Sequence, residues 1–252
     1  PQEDALRRDF TINALFYDSA KKEVIDYVGG CEDIQKKTLR SIGNPISRFK
    51  QDPVRMLRLL KFRARFKFKI CPITLKALDK CQEEILKSAP ARLLEETLRM
   101  LESGASEPFF RLMLKHRFLD ILFPWLTHFL QGPSQDNVFK LLKQADTYNK
   151  KQIRHNRPTT SRNSLFACFI FPILQKEISH RVEQEENLPN LGEITELIND
   201  LLEGIVHSSF CHFPKRMRGF LQFILQTQYR FTPLGNKVYK HSKRLVSHPE
   251  YK

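Results

Sequence analysis

The spacing of hydrophobic residues changes near residue 45, and this change limits the folds that the chain can adopt. Before that point the apolar residues form short runs at 15–17 and 24–28, which flank a polar turn and predict a β-hairpin. From Ile46 onward they recur at helical spacing. The sequence therefore predicts a mainly α fold, with a small mixed α/β segment followed by a large helical body.

Amphipathic helices are predicted through most of this body, over residues 74–86, 91–101, 108–114, 138–148, 191–205 and 214–230. Residues 165–174 are almost wholly apolar, but this run is shorter than the roughly 18 residues that a membrane span needs, so it predicts a buried core helix. The polar and basic residues 149–163 predict an exposed linker. No membrane partner is expected.

The chain is strongly basic, and its positive charge is concentrated in two stretches. Its 252 residues include 42 Lys and Arg against 28 Asp and Glu, a formal net charge of +14. Residues 35–70 carry twelve basic residues and one acid, and residues 207–252 carry nine and one. A basic stretch can be either a solvent-exposed face or a binding surface for phosphates. The presence of two such stretches favours nucleic acid as the partner.

Cysteine usage and missing motifs exclude several classes of protein. The five cysteines are scattered without a CxxC pair, which is typical of reduced thiols in the cytoplasm. Glycine-rich nucleotide loops and the HExxH metal motif are missing from the sequence, so no metal site is predicted in this chain. Because the sequence opens on Pro1 rather than Met, we expect its N-terminus to be a cut rather than a start.

A first chemically rich segment spans residues 7–15. It places Arg7, Arg8, Asp9 and Asn13 within seven residues. Guanidiniums suit triphosphate oxygens or a ribose edge, and a carboxylate can accept a ribose hydroxyl or support a metal ion. The same residues could equally form a cluster of ion pairs and caps at a helix end, and their spacing alone does not decide between the two.

A second segment, residues 51–58, places Asp52 and Arg55 one helical turn apart. They could simply pair with each other. Alternatively, the acid accepts from the amino group of adenine or cytosine while the arginine donates to the neighbouring ring nitrogen, a kind of contact worth roughly 1–3 kcal/mol of discrimination. Arg58 and Lys61 lie on the flank of the same predicted helix and would reach phosphates.

Together these segments resemble the class II nucleotidyltransferase family, which contains bacterial poly(A) polymerases and tRNA CCA-adding enzymes. The resemblance rests on four motifs in order, similar to the family's ribose-recognition motif, hinge, base-reading template and neck helix: residues 8–13, 26–33, 52–55 and 89–96. Residues 42–58 and 213–216 are most similar to bacterial poly(A) polymerase. The sequence departs from the family pattern at Gln51 and Lys61, where Glu and Arg are common.

The resemblance implies a domain organisation and an activity. Residues 1–45 would be the end of the catalytic head with its hinge, residues 46–105 the helical neck with the base template, and residues 106–252 a helical, RNA-binding body. The expected activity is template-independent addition of AMP from ATP to RNA 3′ ends. The alternatives are a CCA-adding enzyme and, from another class, a helical RNA-binding module without catalysis, which the charge alone would support.

The resemblance also assigns roles to individual residues. Asp9 would be a catalytic carboxylate, and nine residues would bind nucleotide or RNA: Arg8, Asn13, Asp52, Arg55, Arg58 and Lys61 for the nucleotide, and Lys215, Arg216 and Arg218 for RNA, with Asn13 belonging to the ribose motif. The family reaction uses ATP and two Mg²⁺ ions. The family's Asp-x-Asp metal ligands and glycine-rich loop are missing from this sequence and are expected upstream, so the isolated chain should bind RNA weakly and polymerise nothing.

Overall fold

A computed structural model describes residues 1–130, 134–185, 187–211 and 213–231, and within them the fold is mainly α, as predicted. The helices are α1 Gln2–Arg7, α2 Gly30–Gln35, α3 Pro45–Gln51, α4 Val54–Phe66, α5 Pro72–Lys80, α6 Pro90–Glu102, α7 Ser106–Lys115, α8 Phe118–Leu122, α9 Pro124–Leu130, α10 Ser134–Arg154, α11 Arg162–Glu185, α12 Leu191–Ser208 and α13 Lys215–Phe231. The strands are β1 Leu15–Asp18, β2 Glu23–Asp26, β3 Thr38–Leu39 and β4 Lys69–Ile70. Short 3-10 helices lie at Thr11–Asn13 and Gln82–Lys87.

The chain forms two compact units. The first contains Pro1–Thr97 and Pro108–Ile121, and the second contains Leu98–Glu107 and the described residues from Leu122 onward. Helices α6 and α7 each contribute residues to both units. None of the described helices combines the length and the apolar character that crossing a membrane requires.

The predicted hairpin is confirmed in the first unit. Strands β1 and β2 pair antiparallel, with Leu15 opposite Asp26 and Asp18 opposite Glu23. The Asp18 carboxylate closes the turn, because its Oδ1 accepts hydrogen bonds from the backbone N–H groups of Ala20 and Lys21.

Asp26 organises the chain where the hairpin leads into α2. Its carboxylate accepts four backbone hydrogen bonds, from Val28, Gly29, Gly30 and Cys31. Burial raises the pKa of Asp26, but these four bonds favour the charged form more strongly and lower the pKa to about 2. A Cβ on Gly30 would lie 2.3 Å from the backbone oxygen of Thr11, so only glycine allows this close approach.

Asp52 and Pro53 separate helices α3 and α4. Asp52 is the C-terminal cap of α3, and Pro53 is the N-terminal cap of α4. Asp52 therefore lies in a short break between two helices rather than inside one. The apolar face of α4 is fully buried at Met56 and Leu59. Burial of this face fixes the helix, so Arg55 and Arg58 on its flank are held in place.

The second unit is built from α9 to α13, with α11 at its centre against α10 and α13. The predicted core helix is confirmed and extends to Glu185, with Phe169 and Ile173 fully buried. The predicted linker at 149–163 is wrong in its first part, because α10 continues to Arg154. Asn149 looks solvent-exposed in the sequence but is fully buried there, and its Oδ1 accepts a hydrogen bond from Thr160 N.

A buried carboxylate joins α10 to the start of α7. Asp146 Oδ1 accepts from both the backbone N–H and the hydroxyl of Ser106, and Oδ2 accepts from Glu107 N. Burial nevertheless raises the pKa of Asp146 above its ordinary value. The first N–H groups of α7 thus find their partner on a distant helix of the chain rather than in a local cap.

Candidate functional site

Asp9 lies at the centre of a cluster of charged side chains in the first unit. It is only 9% exposed, on the segment that follows α1. Arg58 Nη1 donates to its Oδ2 at 2.6 Å, and Arg55 Nε lies 3.0 Å from its Oδ1. Helix α4 supplies both arginines from one flank. The two segments singled out in the sequence therefore meet at Asp9.

Asp52 is the second carboxylate of this cluster, and its two oxygens have different surroundings. Its Oδ2 lies 3.3 Å from Arg92 Nη2, 3.6 Å from Arg58 Nη2 and 3.9 Å from Arg55 Nε. Its Oδ1 is buried without a hydrogen-bond partner among the described residues. Arg55 Nη1 is likewise buried and has no partner there. One acceptor and one donor, on residues three positions apart, thus have no hydrogen-bond partner among the described residues.

Arg48 fixes the backbone that leads into Asp9, a role that the sequence analysis missed. Its Nη2 donates to the backbone oxygens of Arg7 and Arg8, at 2.8 and 2.6 Å. Burial lowers the pKa of Arg48, and the positive charge of Arg55 lowers it further. The available signal was position, because Arg48 precedes Asp52 by about one turn in a stretch that has a single acid.

Helix α6 braces the cluster through Arg92 and Glu96, which lie one turn apart. Glu96 Oε1 lies 3.7 Å from Arg58 Nε, and Oε2 accepts from Lys61 Nζ at 3.4 Å. Burial works against the charge of Arg58, but its contacts with Asp9, Asp52 and Glu96 outweigh this and raise its pKa. These two residues fall within the predicted neck-helix motif, 89–96, although they were not named individually as site residues.

Two predicted site residues use their side chains elsewhere. Arg8 is exposed, pairs with Asp4 at 2.9 Å and lies 5.9 Å from the centre of the Phe16 ring. Asn13 Oδ1 accepts from the backbone N–H of Phe10 and closes the 3-10 turn. The structure therefore brings together Asp9, Asp52, Arg55, Arg58 and Lys61, and it leaves the side chains of Arg8 and Asn13 in local contacts.

The predicted RNA-binding cations lie in the second unit, on the first turns of α13. Lys215 and Arg218 line a groove that α12 and α13 form together. Arg216 lies outside it, with its guanidinium 5.4 Å from the centre of the Phe220 ring. Only two of the three predicted cations therefore share one surface.

The described residues do not by themselves form a site for Mg²⁺. They contain no group of three or more His, Cys, Asp or Glu residues that could hold a metal ion. Asp9 faces two guanidiniums, whereas Mg²⁺ prefers several oxygen ligands in octahedral geometry. We therefore derive no step of the reaction through a metal held by these residues alone.

Comparisons with known proteins show which families this chain is similar to. The family described as "Poly A polymerase head domain" matches residues 1–40, and the family described as "Probable RNA and SrmB- binding site of polymerase A" matches residues 67–130. The poly(A) polymerase I of Salmonella typhi is 31% identical over 251 residues, covering 100% of this chain and 52% of that protein. The chain thus spans about half the length of these relatives.

Two further similarities come from enzymes that act on tRNA. The CCA-adding enzyme of Enterococcus faecalis is 41% identical over 112 residues, which cover 43% of this chain and 27% of that protein. A solved structure titled "tRNA-processing enzyme (apo form I)" shares the fold with a TM-score of 0.59 and 25% identity, covering 93% of this chain and 57% of that chain. The chain therefore belongs to the class II nucleotidyltransferase family of poly(A) polymerases and CCA-adding enzymes.

Proposed function

We propose that this chain is part of a template-independent polynucleotide adenylyltransferase, which adds AMP from ATP to RNA 3′ ends. The observation that carries the proposal is the pair of free buried groups, Asp52 Oδ1 and Arg55 Nη1. Buried polar atoms are normally hydrogen-bonded, so a free acceptor beside a free donor is a place for a ligand with the complementary pattern.

The order of acceptor and donor selects the base. Adenine and cytosine each present an amino group beside an unprotonated ring nitrogen, which match Asp52 and Arg55 respectively. Guanine and uracil present a carbonyl oxygen beside an N–H, so the same pair would set acceptor against acceptor and donor against donor. A mismatch of this kind costs roughly 1–3 kcal/mol, enough to exclude two of the four nucleotides.

The remaining cations fit the polyphosphate of such a nucleotide. Arg58 and Lys61 lie on successive turns of the same flank of α4, and both are held by Glu96. Arg8 is exposed and could approach phosphate or ribose by leaving Asp4, since exposed ion pairs are weak. Asp9 stays a candidate catalytic residue, and its contacts with Arg55 and Arg58 suit it to position both.

A CCA-adding enzyme is the second candidate. It is favoured by the 41% identity of the Enterococcus faecalis enzyme over 112 residues. The Asp52 and Arg55 pattern accepts cytosine as well as adenine, so it is compatible with both activities. The poly(A) polymerase proposal is preferred because the Salmonella typhi relative matches along the whole chain, at 100% coverage.

Supporting features complete the proposal. ATP and an RNA 3′ end would be the substrates, and Mg²⁺ remains an expectation from the family reaction. All five cysteines are free, which fits a cytoplasmic protein. The basic stretches would supply sequence-independent contacts to RNA phosphates.

Primer extension by the full-length protein tests the proposal. The reaction contains Mg²⁺, ATP or CTP singly, and either an unstructured RNA or a tRNA without its 3′ end. Long A tails on the unstructured RNA would support the adenylyltransferase. Addition that stops after C, C and A on tRNA alone would support the CCA-adding enzyme, and no incorporation with any pair would leave only RNA binding.

A double variant tests the base-reading role. Replacing Asp52 and Arg55 together with alanine should abolish the preference for ATP over GTP and UTP. The matched control is Arg117→Ala with Asp120→Ala, an exposed pair with the same residue types and the same spacing. If the variant at 52 and 55 keeps its ATP preference, Asp52 and Arg55 do not read the base.

A further inference from the structure

Helices α12 and α13 of the second unit form a groove that is lined mainly by polar and charged side chains. It has a volume of about 320 Å³ and is lined by two cations, an acid, two amides, a leucine and a glycine: Lys215, Arg218, Glu203, Asn199, Gln222, Leu202 and Gly219. This volume lies at the lower end of the ~300–1,000 Å³ range of pockets for small ligands. The groove is therefore large enough for one small polar molecule.

The register of the two helices orders these residues along the groove. The helices run antiparallel, since a short connection joins them and Gln226 Nε2 lies within hydrogen-bond distance of Thr195 Oγ1, at 3.3 Å. Counting back along both helices from that contact places Asn199 level with Gln222 and Glu203 level with Arg218. The groove thus has a charged end near the start of α13, which contains Lys215, Arg218 and Glu203, and an amide end.

The charged groups in the groove do not neutralise one another. No ion pair within the described part of the chain involves Lys215, Arg218 or Glu203. By contrast, Arg162 pairs with Glu102 in the same unit at 3.0 Å. Donors and acceptors in the groove are consequently available to an external ligand.

We propose that this groove binds one nucleotide of the RNA substrate, with a phosphate on Lys215 and Arg218 and the base beside Glu203 and the two amides. The proposal rests on the proposed function, which makes RNA the substrate of this chain. Lysine and arginine side chains bind phosphate oxygens. Carboxylate and amide groups at the other positions bind the polar edges of bases.

Glu203 gives the groove a base preference. A carboxylate accepts hydrogen bonds, and adenine, cytosine and guanine each carry an amino group that donates them. Uracil has no amino group, and its one ring N–H on that edge lies between two carbonyl oxygens, which a carboxylate repels. The groove should therefore favour A over U, a preference that suits an enzyme whose product is an A-rich tail.

Gly219 provides a way to fill the groove without removing charge. No atom lies within 4 Å of a Cβ built on this glycine, so a side chain there would occupy free space. Leucine is also a much better helix former than glycine. The variant Gly219→Leu should therefore fold at least as well as the parent while occupying the nucleotide's place.

The experiment measures binding of fluorescent oligo(A) and oligo(U) of equal length to the full-length protein by anisotropy. We expect Gly219→Leu, and Lys215→Gln with Arg218→Gln, to raise the Kd for oligo(A) about tenfold. The double variant should also flatten the slope of log K against log salt by about 1.4, from two lost single-strand phosphate contacts. Glu203→Gln should bring the ratio of the oligo(U) and oligo(A) dissociation constants close to one.

Two matched controls distinguish loss of binding in the groove from a general loss of positive charge. Lys176→Gln removes an exposed charge on α11, and Lys140→Gln removes one on α10. Both should change the Kd less than twofold. The proposal is overturned if Gly219→Leu binds like the parent, or if Lys176→Gln weakens binding as much as Arg218→Gln does.

The same proteins separate this inference from the proposed function. Incorporation of ATP is measured at saturating RNA for the parent and for each variant. A parent that adds A while its groove variants bind RNA normally would refute the groove alone. A parent that binds oligo(A) through the groove but adds no nucleotide would refute the polymerase and leave an RNA-binding module.

Discussion

Arg58 donates a 2.6 Å hydrogen bond to Asp9 from 49 residues further along the chain. The same guanidinium lies 3.6 Å from Asp52 and 3.7 Å from Glu96. One side chain on α4 thus contacts all three acids that surround the proposed nucleotide site. Because these contacts are only partly exposed to solvent, they act as a structural unit as well as a chemical one.

Asp9→Asn should destabilise the first unit. The change leaves Arg55 and Arg58 without their closest anionic partner, and breaking a partly buried pair of this kind should cost about 2–3 kcal/mol of unfolding free energy, below the range for full burial. Urea denaturation measures the loss. The matched control is Asp4→Asn, which breaks the exposed Arg8 pair and should cost about 0–1 kcal/mol. Equal stability of the two variants would contradict a positioning role for Asp9.

Arg92→Gln should alter nucleotide binding while leaving the fold intact. Arg92 is half exposed, and its Nη2 lies 3.3 Å from Asp52 Oδ2, so it orients Asp52 without supporting the core. In the full-length protein we expect the KM for ATP to rise several-fold with kcat nearly unchanged, and the melting temperature to stay the same. Arg111→Gln, on α7 of the same unit, serves as the charge control. An unchanged KM for ATP would show that Arg92 does not orient Asp52 for nucleotide binding.

The local elements were readable from the sequence because their causes are local. The hairpin follows from two β-prone runs around a polar turn, and the core helix at 165–174 follows from an unbroken apolar run. Asp52 and Arg55 were predicted as a pair because they lie three positions apart in the sequence. In each case the residues that decide the structure are neighbours in the chain.

The parts that were missed depend on contacts between distant residues. Arg48 binds backbone oxygens about 40 positions away, a partner that no sequence pattern reveals. The linker prediction failed at Asn149 because this polar residue is buried in α10, where its Oδ1 accepts a hydrogen bond from Thr160 N, 11 residues further along the chain. Arg8 and Asn13 belong to the ribose motif by resemblance, yet their side chains contact Asp4 and the backbone of Phe10 in this structure.

Gly30→Ala should strongly destabilise the segment at the start of α2. Its new Cβ would lie 2.3 Å from the Thr11 backbone oxygen, which cannot move without disturbing the 3-10 turn. We expect a loss of about 2–4 kcal/mol. Gly219→Ala is the control, since its Cβ meets nothing within 4 Å, and it should be neutral or stabilise by about 0.5–1 kcal/mol. Thermal unfolding of the two variants would refute the close contact if both melted alike.

Asp26 should make stability fall in strong acid. Its pKa is about 2 in the folded protein against 3.8 unfolded, so its contribution is present above pH 3.8 and is lost as the pH falls toward 2. After allowance for partial exposure, this contribution is about 1–2 kcal/mol. In urea titrations between pH 5 and 2, Asp26→Asn should be less stable at the upper end, and the gap should close at the lower end. A gap that is constant with pH would contradict the assignment.

Asp146 should show the opposite pH dependence. Burial raises the pKa of Asp146 in the folded protein above its ordinary value of 3.8. Its contribution to stability is therefore fully present below pH 3.8, where the acid is protonated. This contribution is lost as the pH rises through the raised pKa. Asp146→Asn removes the titration but keeps an acceptor for Ser106, whereas Asp146→Ala leaves three donors unsatisfied at the start of α7. We therefore expect the alanine variant to lose about 2–3 kcal/mol more stability than the asparagine variant at neutral pH. Asp26→Asn and Asp146→Asn should therefore change the dependence of stability on pH in opposite directions. Urea titrations of both variants across the same pH series measure these two changes. If both profiles shift the same way, burial does not raise the pKa of Asp146.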